Sequence, residues 1–271
     1  MKKLLCLLVI ISGISLISNS CQNEEDWKSL FNKQDLENWD TYFGRSLGAA
    51  FDSLAQSTSI EKIYSVVEMD GENVIRISGE AFASLATRES FENYHLRMVF
   101  KWGEQVYSNR NSGLLYHSFG DFGVAIDTWM PNMELQLMHL NLGDTYLMAH
   151  TCCETAAVKN EEKNQFLYTP GAELVAFGEH ANGRSIKKRE DMEKPLGEWN
   201  TVDLYCFGRT AVHVINGITV MVNENTGIFE NGVVQPLTAG KIQVQSEGGE
   251  LFVKSLDVRT ITKLPEEILP D

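Results

Sequence analysis

The sequence is poor in basic clusters, in helical periodicity and in cysteines that could pair. It has no Pro/Ser-rich linker, no charge block that divides it and no internal repeat. Each absence narrows the reading. With 37 acidic against 23 basic residues, the formal charge of −14 repels nucleic acid and anionic lipid. The one basic run, residues 184–189 (RSIKKR), is followed at once by Glu190 and Asp191 and reads as a solvated loop. Without linkers or repeats, the mature chain reads as one domain, large enough to build a core without disulfide or metal staples.

Apolar runs are nearly as scarce. Residues 4–17 form the single long one, preceded by Lys2 and Lys3 and followed by Ser18, Asn19, Ser20 and Cys21. At roughly 14 residues it falls short of the ~20 needed to span a bilayer. It has the layout of a secretory signal peptide and is set aside from fold reasoning. Small residues directly before Cys21 resemble a bacterial lipoprotein signal, in which that cysteine becomes the lipidated first residue. Ordinary cleavage near Ser20, leaving a free protein, is the alternative. Residues 21–26 then form the lipidated Cys and a short acidic tether, and the protein is expected to be secreted and anchored to the outer membrane of a bacterium, in the periplasm or at the cell surface.

Cys152, Cys153 and Cys206 remain. Three is an odd number, and adjacent Cys152 and Cys153 rarely pair with each other, though one could reach Cys206. With His150 they form only a fragment of a zinc site. Buried free thiols are expected.

What the sequence does have is alternation of period two. Residues 95–102 place Leu96, Met98, Phe100 and Trp102 on one face and His95, Arg97, Val99 and Lys101 on the other. Residues 211–222 (AVHVI-NG-ITVMV) carry the strongest short hairpin signal, two β-branched runs around Asn216-Gly217. Further strands are expected over 73–78, 113–118, 133–139, 201–207, 241–245 and 251–260. The best helical pattern, 46–56, is short and loop-like. Many short strands with turn signals indicate an all-β sandwich or barrel.

Several segments, taken together and in order, resemble one bacterial family. These are Trp27-Lys28-Ser29-Leu30-Phe31-Asn32 with Leu36 and Trp39; Arg110-Asn111-Ser112-Gly113; Glu134-Leu135-Gln136 with Gly143-Asp144; Gly197-Glu198-Trp199-Asn200; Asn216-Gly217; and residues 240–248 (GKIQVQSEG). The family, long known as a domain of unknown function, is described as 3-keto-disaccharide hydrolases or 3-keto-glucoside lyases and hydratases. Lys33 departs from its opening motif, which has glycine there. The resemblance implies a two-sheet antiparallel jelly roll of the concanavalin A type over residues 27–262, with a concave face that receives sugar, and a C-terminal tail over 263–271.

Glu134 and Gln136, two apart on an expected strand, share a face with side chains roughly 6.6–7 Å apart. Leu135 and Leu137 take the other face. Gln136 and Met138 stand where a retaining glucanase would place further acids, so this strand does not supply a dyad at ~5 Å. Elimination needs less. A ketone at C3 of a sugar acidifies the C2 proton, which one general base can remove while a donor or cation holds the enolate oxygen. Glu134, His139 and His117 are the candidate bases. Arg110, Asn111, Gln136 and Lys101 are the candidate oxyanion partners. Tyr116, Asp144, Gln245 and Glu247 are further candidates for holding substrate, and Trp102, Trp129 and Tyr146 for stacking on a ring. Glu134 and His139 could bind a divalent metal only with a third ligand. The expected function is cleavage of 3-keto-glycosides. A non-catalytic, lectin-like carbohydrate-binding module and a conventional glycoside hydrolase are the alternatives.

Overall fold

The computed structural model describes residues 27–270. The signal sequence, Cys21 and the tether lie outside the described residues. Among those residues, no helix is long and apolar enough to cross a membrane.

The chain folds into two antiparallel sheets packed face to face, a jelly-roll sandwich. The larger sheet runs from Tyr64–Met69 through Glu72–Ile77, Gly249–Thr260, Tyr94–Val106, Asn200–Phe207, Thr210–Ile215, Ile218–Glu230 and Thr151–Asn160 to Gln165–Tyr168. The smaller sheet runs Ser185–Ile186, Thr145–Met148, Asn132–Gln136, Gly113–Ser118, Ala239–Ser246, Ala83–Thr87 and Trp39–Phe43. Alternation sets the core. Leu96, Met98 and Phe100 from the large sheet meet Leu114, Leu135, Leu85 and Val244 from the small one, all buried in one cluster. The hairpin at Asn216-Gly217 forms as expected, with both residues at positive φ, 50° and 86°. That is the two-residue turn whose twist matches the flanking strands.

Two expectations change. Residues 46–56 are not a loop: a 3-10 turn, Ala49–Phe51, runs into a short helix, Asp52–Ser57. The strand expected over 133–139 ends at Gln136, whose side chain takes the Met138 N–H at 3.0 Å, although Leu137 N and His139 N still donate to the Ser112 and Arg110 carbonyls, each at 2.9 Å. The C-terminal segment packs back on the body, with Ile268 buried and its carbonyl accepting from Thr219 Oγ1 at 2.7 Å.

Cys152, Cys153 and Cys206 are all free and buried. Burial pushes the Cys153 and Cys206 thiols up to about 12.

Candidate active site

The outer face of the small sheet carries the site. Leu115 lies opposite Glu134, and Glu134 opposite Tyr146, so all three share that face. One row along, Tyr42 pairs with Ser84, Ser84 with Gln245, and Gly113 with Gln136. Val244 opposite Leu114 brings Gln245 beside Gly113. Polar side chains therefore cross the sheet in line, where a β-sheet facing only its core would show leucine and valine.

Gly113 is the pivot. A β-carbon at this position would run into both Glu134 Oε1 and Gln245 Oε1. The missing side chain lets the carboxyl and the amide converge over the strand. Both are buried, yet Glu134 Oε1 and both polar atoms of the Gln245 amide have no protein partner, and neither does Asn111 Oδ1. Buried polar atoms without partners are costly and rare, and four of them around one cleft point to groups that a ligand satisfies.

The cleft above them has a volume of about 260 Å³ and is lined by Asn111, Glu134, Gln136, Asp144, Lys187 and Glu247, with Ile126, Met138, Tyr146 and Met148 as apolar wall. The loop over 119–131 contributes Ile126 to its wall. Ala125 and Trp129 from that loop pack with Leu115 and Met148 into a second small core on the outer face. Ala125 N donates to the Trp129 carbonyl at 2.8 Å and Trp129 N to the Ala125 carbonyl at 2.9 Å. This tight clasp holds Ile126 at φ 50°, a left-handed conformation that a β-branched residue rarely adopts.

Charge in the cleft is held against solvation. Burial, then the Glu247 and Asp144 carboxylates, push Glu134 well above the ordinary carboxylate range, with Lys187 opposing. Burial pushes Glu247 up to about 8, against the pull of the Arg45 guanidinium and the Asn111 amide. Asp144 is also raised by burial, while it accepts from Lys187 Nζ at 2.9 Å and from the Lys188 N–H at 2.8 Å. Protons shared among raised carboxyls beside a fixed ammonium are the equipment of acid–base chemistry near neutral pH.

Of the residues picked from sequence, the structure brings Asn111, Glu134, Gln136, Asp144, Tyr146, Gln245 and Glu247 together. The others lie elsewhere. His117, expected on the Glu134 face by alternation, sits at φ 51°. That conformation turns its ring into the sandwich, 5.2 Å from the Tyr116 ring and 6.2 Å from Tyr94, where burial pushes it down to about 4. Tyr116 points into the core and its hydroxyl meets His213 Nε2 at 3.1 Å. His139 follows the turn at Gln136 and is held by Glu193, Nδ1 to Oε2 at 2.9 Å. Lys101 stands on the large sheet, its Nζ 4.7 Å from the Trp199 ring centroid. The half-buried Arg110 precedes the Gly113 strand, with Nε unpartnered. Trp129 packs in the second core and Trp102 in the main one. Among the described residues no three His, Cys, Asp or Glu side chains converge as a metal site would require.

Sequence reasoning missed Lys187 and Arg45. The run over 184–189 is not a free loop. Ser185–Ile186 forms the edge strand of the small sheet, and Lys187 then reaches Asp144. The signal was the alternation Ser185, Lys187 beside a two-residue apolar-polar pattern too short to stand out. Arg45 carried no signal.

A domain model described as 3-keto-alpha-glucoside-1,2-lyase-like matches residues 26–259. Among solved structures, the chain is similar to a protein from Parabacteroides distasonis provisionally described as a glycosyl hydrolase, at 17% identity and TM-score 0.49, covering 87% of this chain and 100% of that one. It is also similar to a Bacillus subtilis protein of unknown function with a galectin-like fold, at 12% identity and TM-score 0.49, covering 87% and 94%. The carbohydrate-binding module CBM66 of Bacillus subtilis is similar at 8% identity and TM-score 0.43, covering 82% and 96%. No curated protein matches significantly. The family model spans nearly all of the described residues, and the chain belongs to the family of 3-keto-alpha-glucoside-1,2-lyase-like domains.

Proposed function

We propose that the protein cleaves 3-keto-glycosides by proton abstraction at C2, elimination of the C1 substituent and addition of water. The observation that carries this reading is the unpartnered Glu134 Oε1 beside the unpartnered Gln245 amide over Gly113. A carboxyl in that setting is a general base with an open lone pair, and the amide beside it can fix a sugar hydroxyl or carbonyl.

In this scheme the Glu134 carboxylate takes the C2 proton. The C–H electrons form a C2=C3 bond and the C3 carbonyl oxygen takes the charge. Lys187, held by Asp144, supplies positive charge for that oxygen, with hydrogen bonds from Gln245 or Asn111. The enolate then re-forms the ketone, the electrons make C1=C2, and the C1–O bond breaks. Glu247, raised by burial to about 8 and so protonated at neutral pH, gives its proton to the leaving oxygen. Water adds across C1=C2, with hydroxyl to C1 and a proton to C2, for net hydrolysis.

A C–H acid needs a strong base, and desolvation strengthens a carboxylate as a base once it is ionised. Glu134 therefore acts from its ionised fraction, beside a protonated Glu247.

The test is release of the C1 substituent from a 3-keto-glucoside and from its unoxidised parent, with and without chelator. Cleavage of the keto compound alone, lost in Glu134→Gln, is expected. Equal cleavage of the parent would mean a conventional hydrolase. Binding of both without turnover would mean a lectin-like module.

A further inference from the structure

We propose that Ile126 is a positioning residue of the cleft: the fold forces it into a left-handed turn so that its side chain keeps water from Glu134. What this does for turnover rests on the elimination reading; the placement of Ile126 does not.

Among the described residues, five pairs of neighbours both take positive φ. Three are Asp70-Gly71, Asn216-Gly217 and Asn231-Gly232, each joining two strands of the large sheet. Asn-Gly and Asp-Gly adopt such a turn at least cost. The other two are Ile126-Asp127, at 50° and 54°, and Ala149-His150, at 51° and 68°. Neither contains glycine or asparagine. Ile126 is the most strained of the four residues, because a β-branched side chain crowds its own backbone in this region. Ile126 and Ala149 pack against one cluster, Leu115, Ala125, Trp129 and Met148, on the cleft face. The turns at odds with their sequence therefore meet beside the cleft, and the turns that suit their sequence lie on the other sheet.

Both flanks of Ile126 are fixed. Thr128 N donates to the Ala125 carbonyl at 3.1 Å and closes the turn. Thr128 is buried against Gly44, where a β-carbon would run into its side chain. Trp129 is fully buried, and its Nε1 donates to the Ala83 carbonyl at 3.2 Å. The half-buried Ile126 then lines the cleft with Met138, Tyr146 and Met148. Leu115 and Tyr146 flank Glu134 across the strands, so Ile126 adds to an apolar surround of that carboxyl. Asparagine would fit the turn at less cost and would bring water into the cleft. Strain confined to the point where the side chain lines the cleft marks a residue held there for what that side chain does.

The test compares Ile126→Asn with Asp127→Gly, which eases the same turn at an exposed residue outside the cleft lining. Ile126→Asn is expected to melt no lower than the wild type, although it loses a half-buried apolar side chain, because relief of the turn offsets the loss. It is also expected to move the ionisation of Glu134, which is faced by Glu247, Asp144 and Lys187. With water admitted, the carboxyl should ionise at least about one pH unit lower. Infrared titration of the protonated-carboxyl band that Glu134→Gln removes reads this without turnover. Asp127→Gly and Ile126→Val should leave the Glu134 titration where it is. An Ile126→Asn protein that melts more than about 2 °C below the wild type, or whose Glu134 titrates unchanged, overturns the proposal. An equal shift in Asp127→Gly overturns it as well, by tracing the effect to the turn and not to the side chain. A Glu134 shift confined to Ile126→Asn, in a protein that turns over no keto-glucoside, removes the elimination reading and leaves the role of Ile126 standing.

Discussion

Replacing Glu247 by Gln should make the protein more stable at neutral pH, by an amount that grows with pH. Glu247 is ordinarily a 4.5 group, and burial raises it to about 8 in the fold. Below pH 4.5 the folded and unfolded carboxyls are both protonated and the group has no effect on stability. As pH rises, the unfolded chain releases this proton while the folded chain keeps it. Each unit then favours unfolding by about 1.4 kcal/mol. Stability present in acid is lost between 4.5 and about 8 and the loss levels off above. At pH 7 the cost is ~3 kcal/mol, and at pH 9 ~5 kcal/mol. Glutamine has no proton to lose and no such slope. Glu134 is present in both proteins, so its own slope cancels apart from the share that Glu247's charge imposes on it. Denaturant unfolding from about pH 4 to about pH 9 measures the difference. A wild type that trails Glu247→Gln by a widening margin is expected, together with lost turnover in the variant. A difference flat across that range would show that Glu247 ionises as it does in water, and would remove it as a proton donor at neutral pH.

Other outcomes follow from the same geometry. Turnover of a 3-keto-glucoside should give a bell-shaped pH profile, because it needs Glu134 ionised and Glu247 protonated together; a rate flat from about pH 5 to about pH 9 would place the acid–base pair elsewhere. Gly113→Ala should keep the fold, at a cost of about 1–3 kcal/mol, while displacing Glu134 and Gln245 and lowering kcat/KM by about 10²-fold; melting and steady-state kinetics separate the two effects. Lys187→Met should lower kcat by about 10²–10³-fold if it holds the enolate oxygen, with Arg189→Met as the control from the same run. Cys153 and Cys206, raised to about 12 by burial, should resist alkylation at neutral pH until denaturant is added, as mass spectrometry can check.

The sandwich was legible because alternation and turn chemistry are local. The strand at 95–102, the Asn216-Gly217 hairpin and the line from Gly113 to Ser118 each contain enough residues to declare which face is buried. Glu134 and Gln136 declared themselves in the same way, as two polar residues where leucines would otherwise stand. The failures are where one backbone angle or one side-chain contact breaks the period. His117 follows the alternation of Gly113 and Leu115, yet φ 51° turns it to the opposite side. His139 lies past the strand's end at Gln136, and Glu193 holds its ring away from the cleft. Neither event has a sequence signature that outweighs the pattern around it. Lys187 failed differently. Its function depends on Asp144 being across a strand pair, and pairing between distant segments is not written in either one.

Stability alone does not account for the unpartnered Glu134 carboxyl oxygen above Gly113. Any larger residue there would separate Glu134 from Gln245, and apolar replacements at those two positions would remove buried atoms that now have no partner. By stability alone such replacements should be favoured, since an unsatisfied buried polar group costs about 1–3 kcal/mol. The fold carries that cost in a sandwich whose main core already joins both sheets through Phe100, Leu135 and Val244, so the strain is confined to the outer face. A binding-only surface would not need it. A sugar hydroxyl can be held by exposed amides and ionised carboxylates, whose pKa values stay low and whose lone pairs water satisfies between ligands. Desolvating two carboxyls and denying one of them a partner gains nothing for affinity to a neutral sugar, whereas it raises the basicity of Glu134 and keeps a proton on Glu247. The placement of the cost, on the atoms that would exchange protons with a substrate, favours an enzyme over a lectin.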